Sequence, residues 1–318
     1  MSRQPAPSKR FPEELAVHRP ALLRHCYRML GAFADAEDLV QEVLLRAWRS
    51  RETYAGEAPL EHWLFRIATN ACLNELASRK RRGLPQLDRA AGQPTDPLET
   101  LDATEWLTPA PDSALFDGPA RALETRESVA LAFLALLQRL PARQRAVLLL
   151  KDVVGWSADE IAAALELSLG SVNSALHRAR ETVATRSLPL ADDPPPAVLR
   201  DYVRTWEMRD VDGLVSLLKE DVVFAMPPIA LWVHGAGALA RFLETPRLTA
   251  SWAKGFRLVE TRANGQTALV FYRPLDGAYR PTDVQLVRFV DGRLAEATTF
   301  FGAAYLRGFD VPDRIELS

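Results

Sequence analysis

Ser157-Ala-Asp-Glu-Ile-Ala-Ala-Ala-Leu-Glu-Leu-Ser-Leu-Gly-Ser-Val-Asn-Ser-Ala-Leu-His-Arg-Ala-Arg180 is the stretch on which the fold turns. Ser157 and Glu160 have capping-box spacing, so a helix starts there. Ile161, Ala164 and Leu165 give it an inner face, and Leu167 to Gly170 supply a turn. Val172, Leu176 and Ala179 form the apolar stripe of a second helix. Ser171, Ser174, His177 and Arg178 lie on its opposite face, with Arg180 near the end. A helix that lies in the major groove needs this division: one face packed on a partner, the other short, polar and basic. Small residues at its start let the backbone approach phosphate. Any two packed helices share the periodicity, but the run from Ser168 to Arg180 points more narrowly to DNA.

Working outward, residues 123–187 read as four helical pieces separated by Pro141, Gly155 and the turn at Ser168–Gly170. Upstream, residues 84–122 hold many prolines and glycines. From Asp88 to Glu127 there are nine acidic and three basic residues. Such a segment is expected to be an extended, acidic linker, with Trp106, Leu107, Leu115 and Phe116 able to dock. Residues 1–83 form the preceding segment, helical over 11–82: Phe11 to Leu30, Leu39 to Ala47 and Leu60 to Leu76 each carry an apolar helical stripe. A second proline-rich break spans 188–196. Residues 197–318 begin with two helices, Val198–Met208 and Val211–Leu218, followed by alternating β-rich runs. Asn264-Gly265 and Asp291-Gly292 are hairpin signals between strand pairs.

Asp35, Glu37 and Asp38 suit the positive end of the helix they open. Trp63 to Arg82 combines aromatic residues, Asn70 and Asn74 with the basic cluster Arg79, Lys80, Arg81 and Arg82. Aromatic rings and cations are what a single-stranded nucleic-acid surface uses; a core helix with a basic end has the same composition. The whole chain carries a net charge of −2, so any nucleic-acid surface is local. Residues 197–318 hold fifteen basic and fifteen acidic residues, and nothing there suggests DNA binding. Cys26 and Cys72 sit in apolar helical patterns and read as buried free thiols. No metal or cofactor motif is present: GxxxxGK[ST], HExxH and GxSxG are all missing. The polar N-terminus and the lack of a long apolar window predict a cytoplasmic protein without a membrane partner.

Cys26-Tyr-Arg-Met-Leu-Gly31, Asp35-Ala-Glu-Asp-Leu-Val-Gln-Glu42 and Trp63-Leu-Phe-Arg-Ile-Ala-Thr-Asn70 together resemble region 2 of extracytoplasmic-function (ECF) sigma factors of the sigma-70 family. Leu140-Pro-Ala-Arg-Gln-Arg-Ala-Val147 and the helix-turn-helix resemble region 4. Trp106-Leu-Thr-Pro-Ala-Pro-Asp112 and the segment from Val198 to Pro228 resemble the subgroup with a fused SnoaL-like (NTF2-like) domain. The resemblance implies a multidomain chain. Two all-α sigma domains, a region 2 helical bundle and a region 4 helix-turn-helix, precede an α+β domain with a curved sheet and a cavity. It also implies roles. Asp35, Asp38, Gln41 and Glu42 would bind core RNA polymerase, at the β′ clamp helices and with the β subunit as further partner. Trp63, Asn70, Asn74, Arg79, Lys80, Arg81 and Arg82 would serve the −10 element, with the loop Arg51–Leu60. Ser171, Ser174, His177, Arg178 and Arg180 would serve the −35 element of promoter DNA.

Phe224, Met226, Trp232, His234, Phe271, Tyr272 and Phe301 are candidates to line a C-terminal cavity, which is either filled or holds a small ligand. Asp221 and His234 are the candidate bases for an enzyme on this fold. Neither has a visible partner, so no catalytic role is assigned. Two other readings stay open: a SnoaL-like isomerase or cyclase with a DNA-binding appendage, and a ligand-responsive helix-turn-helix repressor. Neither needs the acidic helix and the Trp63–Arg82 run. The C-terminal domain is expected to modulate the sigma regions in cis, with a separate anti-sigma factor left open.

Overall fold

The first apolar stripes become helices α1 (Phe11–Val17), α2 (Arg19–Leu30), α3 (Phe33–Arg49) and α4 (Leu60–Ala77). The computed structural model describes residues 11–54, 56, 58–79, 81–116, 128–184 and 193–316. The described residues divide into two units: those within 11–82, 115–116 and 131–184 form one, and those within 83–114, 128–130 and 193–316 the other.

In the first unit α2, α3 and α4 bury Leu22, Leu23, Cys26, Val40, Val43, Leu64 and Ala68 against one another. Gly31 ends α2 at φ +73°, a left-handed cap that its N–H closes onto Tyr27 O. The second part of this unit holds α5 (Leu131–Arg139), α6 (Ala142–Leu148), a π-turn at Leu149–Val153, α7 (Ala158–Leu165) and α8 (Leu169–Ala184). The capping box at Ser157 and Glu160 is present on both sides. The expected turn at Leu167–Gly170 is shorter. Glu166 takes the left-handed conformation at φ +53°, and Ser168 Oγ accepts from Ser171 N at 3.2 Å. That serine cap starts α8 at Leu169 and draws Leu169 and Gly170 into the helix.

In the second unit α9 (Pro196–Met208) and α10 (Val211–Ser216) precede β1 (Leu218–Ala225) and β2 (Trp232–His234). Helices α11 (Ala236–Leu243) and α12 (Pro246–Trp252) follow. Then come β3 (Arg257–Ala263), β4 (Gln266–Leu275), β5 (Ala278–Val290), β6 (Arg293–Phe301) and β7 (Ile315–Glu316). The sheet order is β2-β1-β6-β5-β4-β3, with β7 on β5. Among the described strands only β1 and β6 run parallel. Both expected hairpins form, with positive φ at Asn264, Gly265, Asp291 and Gly292. A third, at Asp276-Gly277, has the same signal; Pro274 and Pro281 beside it hide the strand pattern.

The linker is not extended. Gly83 pairs with Trp106, and Leu107 N donates to Gly83 O at 3.0 Å, so the chain between them is a closed loop. Gly92 N donates to Trp232 O at 3.0 Å, and the Trp232 indole to Arg89 O at 3.1 Å. Thr100 pairs with Ile229. Asn264 then holds one point of the linker and one beyond it: its Oδ1 accepts from Ala110 N at 3.0 Å and its Nδ2 donates to Val129 O at 2.7 Å. Backbone groups that would be hydrated in a free linker are satisfied on the C-terminal domain.

Candidate nucleic-acid interface and C-terminal cavity

Helix α8 places Val172, Ala175, Leu176 and Ala179 inward. It leaves Ser171, Ser174, His177, Arg178 and Arg180 on the exposed face. Arg180 is held by Asp152 through two hydrogen bonds of 3.0 and 2.5 Å. His177 lies 3.4 Å from Glu181. The Arg178 guanidinium has no ion-pair partner among the described residues, so it is the cation of this face left for a ligand.

On α3, Asp38, Gln41 and Glu42 are exposed, with Glu42 paired to Arg46 at 2.5 Å. Leu45 and Trp48 are exposed beside them, at 55% and 40%. The spacing 38, 41, 45, 48 puts an acid, an amide and two large apolar groups on one stripe. Leu45 and Trp48 fall outside the buried stripe Leu39-Val43-Ala47, and that offset is the sequence signal for them.

Asp35 is engaged differently. Its carboxylate accepts from Arg79 and from Arg82, the latter at 2.7 Å. Burial works to raise its pKa, but the hydrogen bonds and charges of Arg82 and Arg79 outweigh this and hold it below the usual value. Arg82 is buried and also donates to Leu30 O at 3.0 Å. The pair therefore locks the end of α4 onto α2 and α3, and Asp35 and Arg82 present no free group to a partner. Arg81 is exposed, and Lys80 lies outside the described residues. Trp63 is also buried, its ring 5.2 Å from Tyr54, so it braces the loop that begins at Arg51.

Asn70 and Asn74 are exposed on α4. They face a cleft of about 570 Å³ whose other wall is Ala142, Arg143 and Ala164 to Leu167. A second cleft of about 280 Å³ lies between Tyr54, His62 and Arg66 on one side and Trp156, Glu160 and Ala163 on the other. Here the His62 and Trp156 rings lie 4.5 Å apart at 32°, and Phe65 lies 6.3 Å from Trp156. His62 Nδ1 is 3.5 Å from Glu160. The helix-turn-helix thus packs across the face of α4 that carries the asparagines.

The C-terminal domain holds a cavity of about 200 Å³. Its apolar wall includes Trp206, Phe224, Met226, Phe256, Phe271 and Phe301. Ser251, Arg273, Asp283, Gln285 and Thr299 add polar groups. Phe224, Met226, Phe271 and Phe301 were expected there; Trp232, His234 and Tyr272 do not line it. Alternation along strands is the reason. Val233 is the inward residue of β2, leaving Trp232 and His234 on the opposite face. On β4 Phe271 faces the cavity, while the Tyr272 hydroxyl donates to Pro312 O on the other side at 2.7 Å. Asp221 and His234 are exposed and lie outside the lining.

Family models match as Sigma-70 region 2 over residues 15–82, Sigma-70 region 4 over 130–183 and a SnoaL-like domain over 199–297. The ECF RNA polymerase sigma factor SigG of Mycobacterium tuberculosis is 39% identical, over 98% of this chain and 87% of its own. The chain belongs to the ECF RNA polymerase sigma factors. SigJ of the same organism is 28% identical over 72% of the chain and 71% of its own. The crystal structure of SigJ covers 94% of this chain and 99% of that one, with a TM-score of 0.56 at 22% identity, and shares the fold. As a sigma factor the protein directs RNA polymerase to promoters for transcription initiation. No described helix is long and apolar enough to cross a membrane. Among the described residues no group of three or more His, Cys, Asp or Glu is placed to hold a metal. Cys26 and Cys72 are free and buried, and burial followed by a hydrogen bond with Cys26 pushes the Cys72 thiol up.

Proposed function

We propose that the packed regions 2 and 4 are the polymerase-free, closed form of this cytoplasmic sigma factor, and that initiation requires them to part. The carrying observation is the placement of Trp156 against His62, with Asn70 and Asn74 facing region 4. Elements centred about 25 base pairs apart lie roughly 85 Å apart on B-DNA, at about 3.4 Å per pair. Two regions whose rings stack at 4.5 Å cannot span that distance. In the open form the α3 stripe Asp38, Gln41, Leu45 and Trp48 docks on the β′ clamp helices, with Glu42 beside it. The β subunit completes the core contact. The loop from Arg51, with Asn70, Asn74, Arg79 and Arg81, reads the −10 element, and α8 reads the −35 element through Ser171, Ser174, His177 and Arg178.

Binding and run-off transcription with core polymerase test these roles. Arg178→Ala is expected to weaken promoter binding by about 1–3 kcal/mol and to relax discrimination at the −35 element. Equal weakening on every sequence with a smaller salt slope reassigns Arg178 to phosphate. Replacing Asp38 and Gln41 together is expected to lower core association with the fold unchanged; normal core binding removes α3 from the contact.

The C-terminal domain restrains this opening through the linker. Free, the chain from Gly83 to Ala130 would extend to roughly 160 Å, at about 3.3–3.6 Å per residue. The Gly83–Trp106 pairing removes one loop and Asn264 closes a second, from Ala110 to Val129. With both closures the reach falls far below the promoter spacing. Asn264→Gly separates two roles, because glycine keeps the hairpin's φ of +54° but not the side-chain hydrogen bonds. The variant is expected to lose exchange protection at the Ala110 amide, keep it along β3 and β4, and raise run-off transcription several-fold. Lost protection with unchanged transcription means that the Asn264 side-chain clamp restrains nothing.

A further inference from the structure

One wall of the C-terminal cavity belongs to the linker. Leu98 lines it, next to Ile229. Leu98 is held there by a short antiparallel pairing in which Ala230 N donates to Glu99 O at 2.9 Å and Leu101 N to Pro228 O at 3.0 Å. The strip from Leu98 to Leu101 thus closes part of a cavity whose remaining lining comes from the C-terminal domain.

The chemistry of the lining selects a ligand class. Most of its polar groups satisfy one another. Arg273 donates to Asp283 at 3.0 and 3.1 Å and to Ser251 Oγ at 2.6 Å. Gln285 donates to Thr299 Oγ1 at 2.8 Å and accepts from Tyr202 at 2.7 Å. These groups offer a ligand little, and the remaining wall is aromatic and aliphatic. Two lining groups are left over. The Trp206 indole N–H is buried, and its interaction with the Tyr202 hydroxyl falls short of hydrogen-bond geometry. Arg247 is exposed at the rim and has no ion-pair partner among the described residues. A cavity of about 200 Å³ exceeds the roughly 150 Å³ that holds a benzene ring. An apolar body of one or two rings, with an oxygen acceptor and an anionic end, fits this set: the body inside, the anion at Arg247.

We propose that the cavity binds an apolar aromatic carboxylate, and that its entry displaces Leu98 and releases the Glu99–Leu101 strip from Pro228–Ala230. Binding and release rest on the cavity and the strip alone; their consequence for transcription rests on the linker restraint argued above.

The test uses the full chain with 4-phenylbutyrate and 2-naphthoate as probes, calorimetry for binding and hydrogen exchange at Leu101 and Ala230. Saturable binding with loss of protection at both amides is expected. Leu98→Ala opens the mouth and is expected to tighten binding several-fold. Leu98→Trp fills it and is expected to abolish binding, with the domain core untouched. Arg247→Gln is expected to weaken the acids about tenfold (about 1.4 kcal/mol) and to leave the neutral 2-naphthamide unchanged. Failure of both acids to bind either the natural chain or Leu98→Ala overturns the site. Binding that survives Leu98→Trp, or that leaves Leu101 and Ala230 as protected as before, overturns the displacement. Because none of these readouts is transcription, they stand or fall apart from the Asn264→Gly result.

Discussion

Arg145→Met should part region 2 from region 4 while each remains helical. Arg145 is a buried cation without a carboxylate partner among the described residues. It donates to Met29 O, to Gln138 Oε1 at 2.6 Å, and to the carbonyls of Gln138 and Leu140 at 3.2 Å. Gln138 in turn donates to Arg28 O at 3.3 Å. These acceptors explain the buried charge. Arg28, Met29 and Leu30 end α2, where the last carbonyls have no partner in their own helix and carry the negative end of its dipole. Region 4 supplies Gln138 and Arg145 to two of them, and Arg82 of region 2 serves the third. Burial lowers the Arg145 pKa to about 10, so it stays charged at neutral pH. Methionine keeps much of the volume and removes every donor. Leaving such acceptors buried and unpaired costs about 1–3 kcal/mol each. The open form escapes most of this, because water reaches the carbonyls there. The open population should rise by about two orders of magnitude. Exchange at the amides of Asn70 and Asn74 should accelerate, and core association should quicken. Trp156→Leu, which removes the ring contacts and touches none of these hydrogen bonds, should move both readouts the same way. If both variants keep natural exchange at α4, the contact is not what holds the regions together.

The sequence made this closure hard to see. Arg145 stands in Leu140-Pro-Ala-Arg-Gln-Arg-Ala-Val147 as one basic residue of a short helix, and nothing local marks its acceptor in α2. Local signals served better. The capping box at Ser157, the apolar spacing of α8 and the Asn-Gly and Asp-Gly turns are each specified within a few residues, and all of them formed. The linker failed for the opposite reason. Prolines and acidic residues argue against a regular element, but they leave backbone groups free to pair elsewhere, here with Trp232, Pro228 and Asn264. Asn264 reads as a hairpin residue and serves as a clamp as well. In the cavity the aromatic content was legible but its sidedness on β2 and β4 was not. The three-residue strand β2 is too short to show alternation.

Lowering the pH from 6.5 to 5 should destabilise the region 2 bundle by about 2 kcal/mol through one side chain, His25. His25 lies in α2 and is almost fully buried. The Thr69 hydroxyl donates to Phe65 O at 2.7 Å, so its oxygen accepts at 2.9 Å from His25 Nε2. The imidazole is therefore the neutral, Nε2-protonated form. Burial first, and then the nearby charge of Arg28, lowers its pKa from 6.5 to about 3. Between those values the unfolded chain takes up a proton that the folded bundle refuses. Stability then rises with pH across this window, by about 1.4 kcal/mol per unit well below 6.5, and is fully present above it. Asp35 acts in the same direction but at lower pH: its depressed pKa matters only below the ordinary carboxylate value of 3.8. The interval from 6 to 5 therefore separates the histidine from Asp35 and from Glu160, whose carboxyl is held below its usual 4.5 by hydrogen bonds with Ser157. His25→Gln retains a donor for Thr69 and cannot charge, so it should flatten the pH dependence there while leaving stability near neutral pH within about 1 kcal/mol. Denaturant unfolding followed by exchange of the α4 amides at pH 7, 6 and 5 measures both slopes. An equal slope in the two proteins would show that His25 is not the group whose protonation the fold opposes.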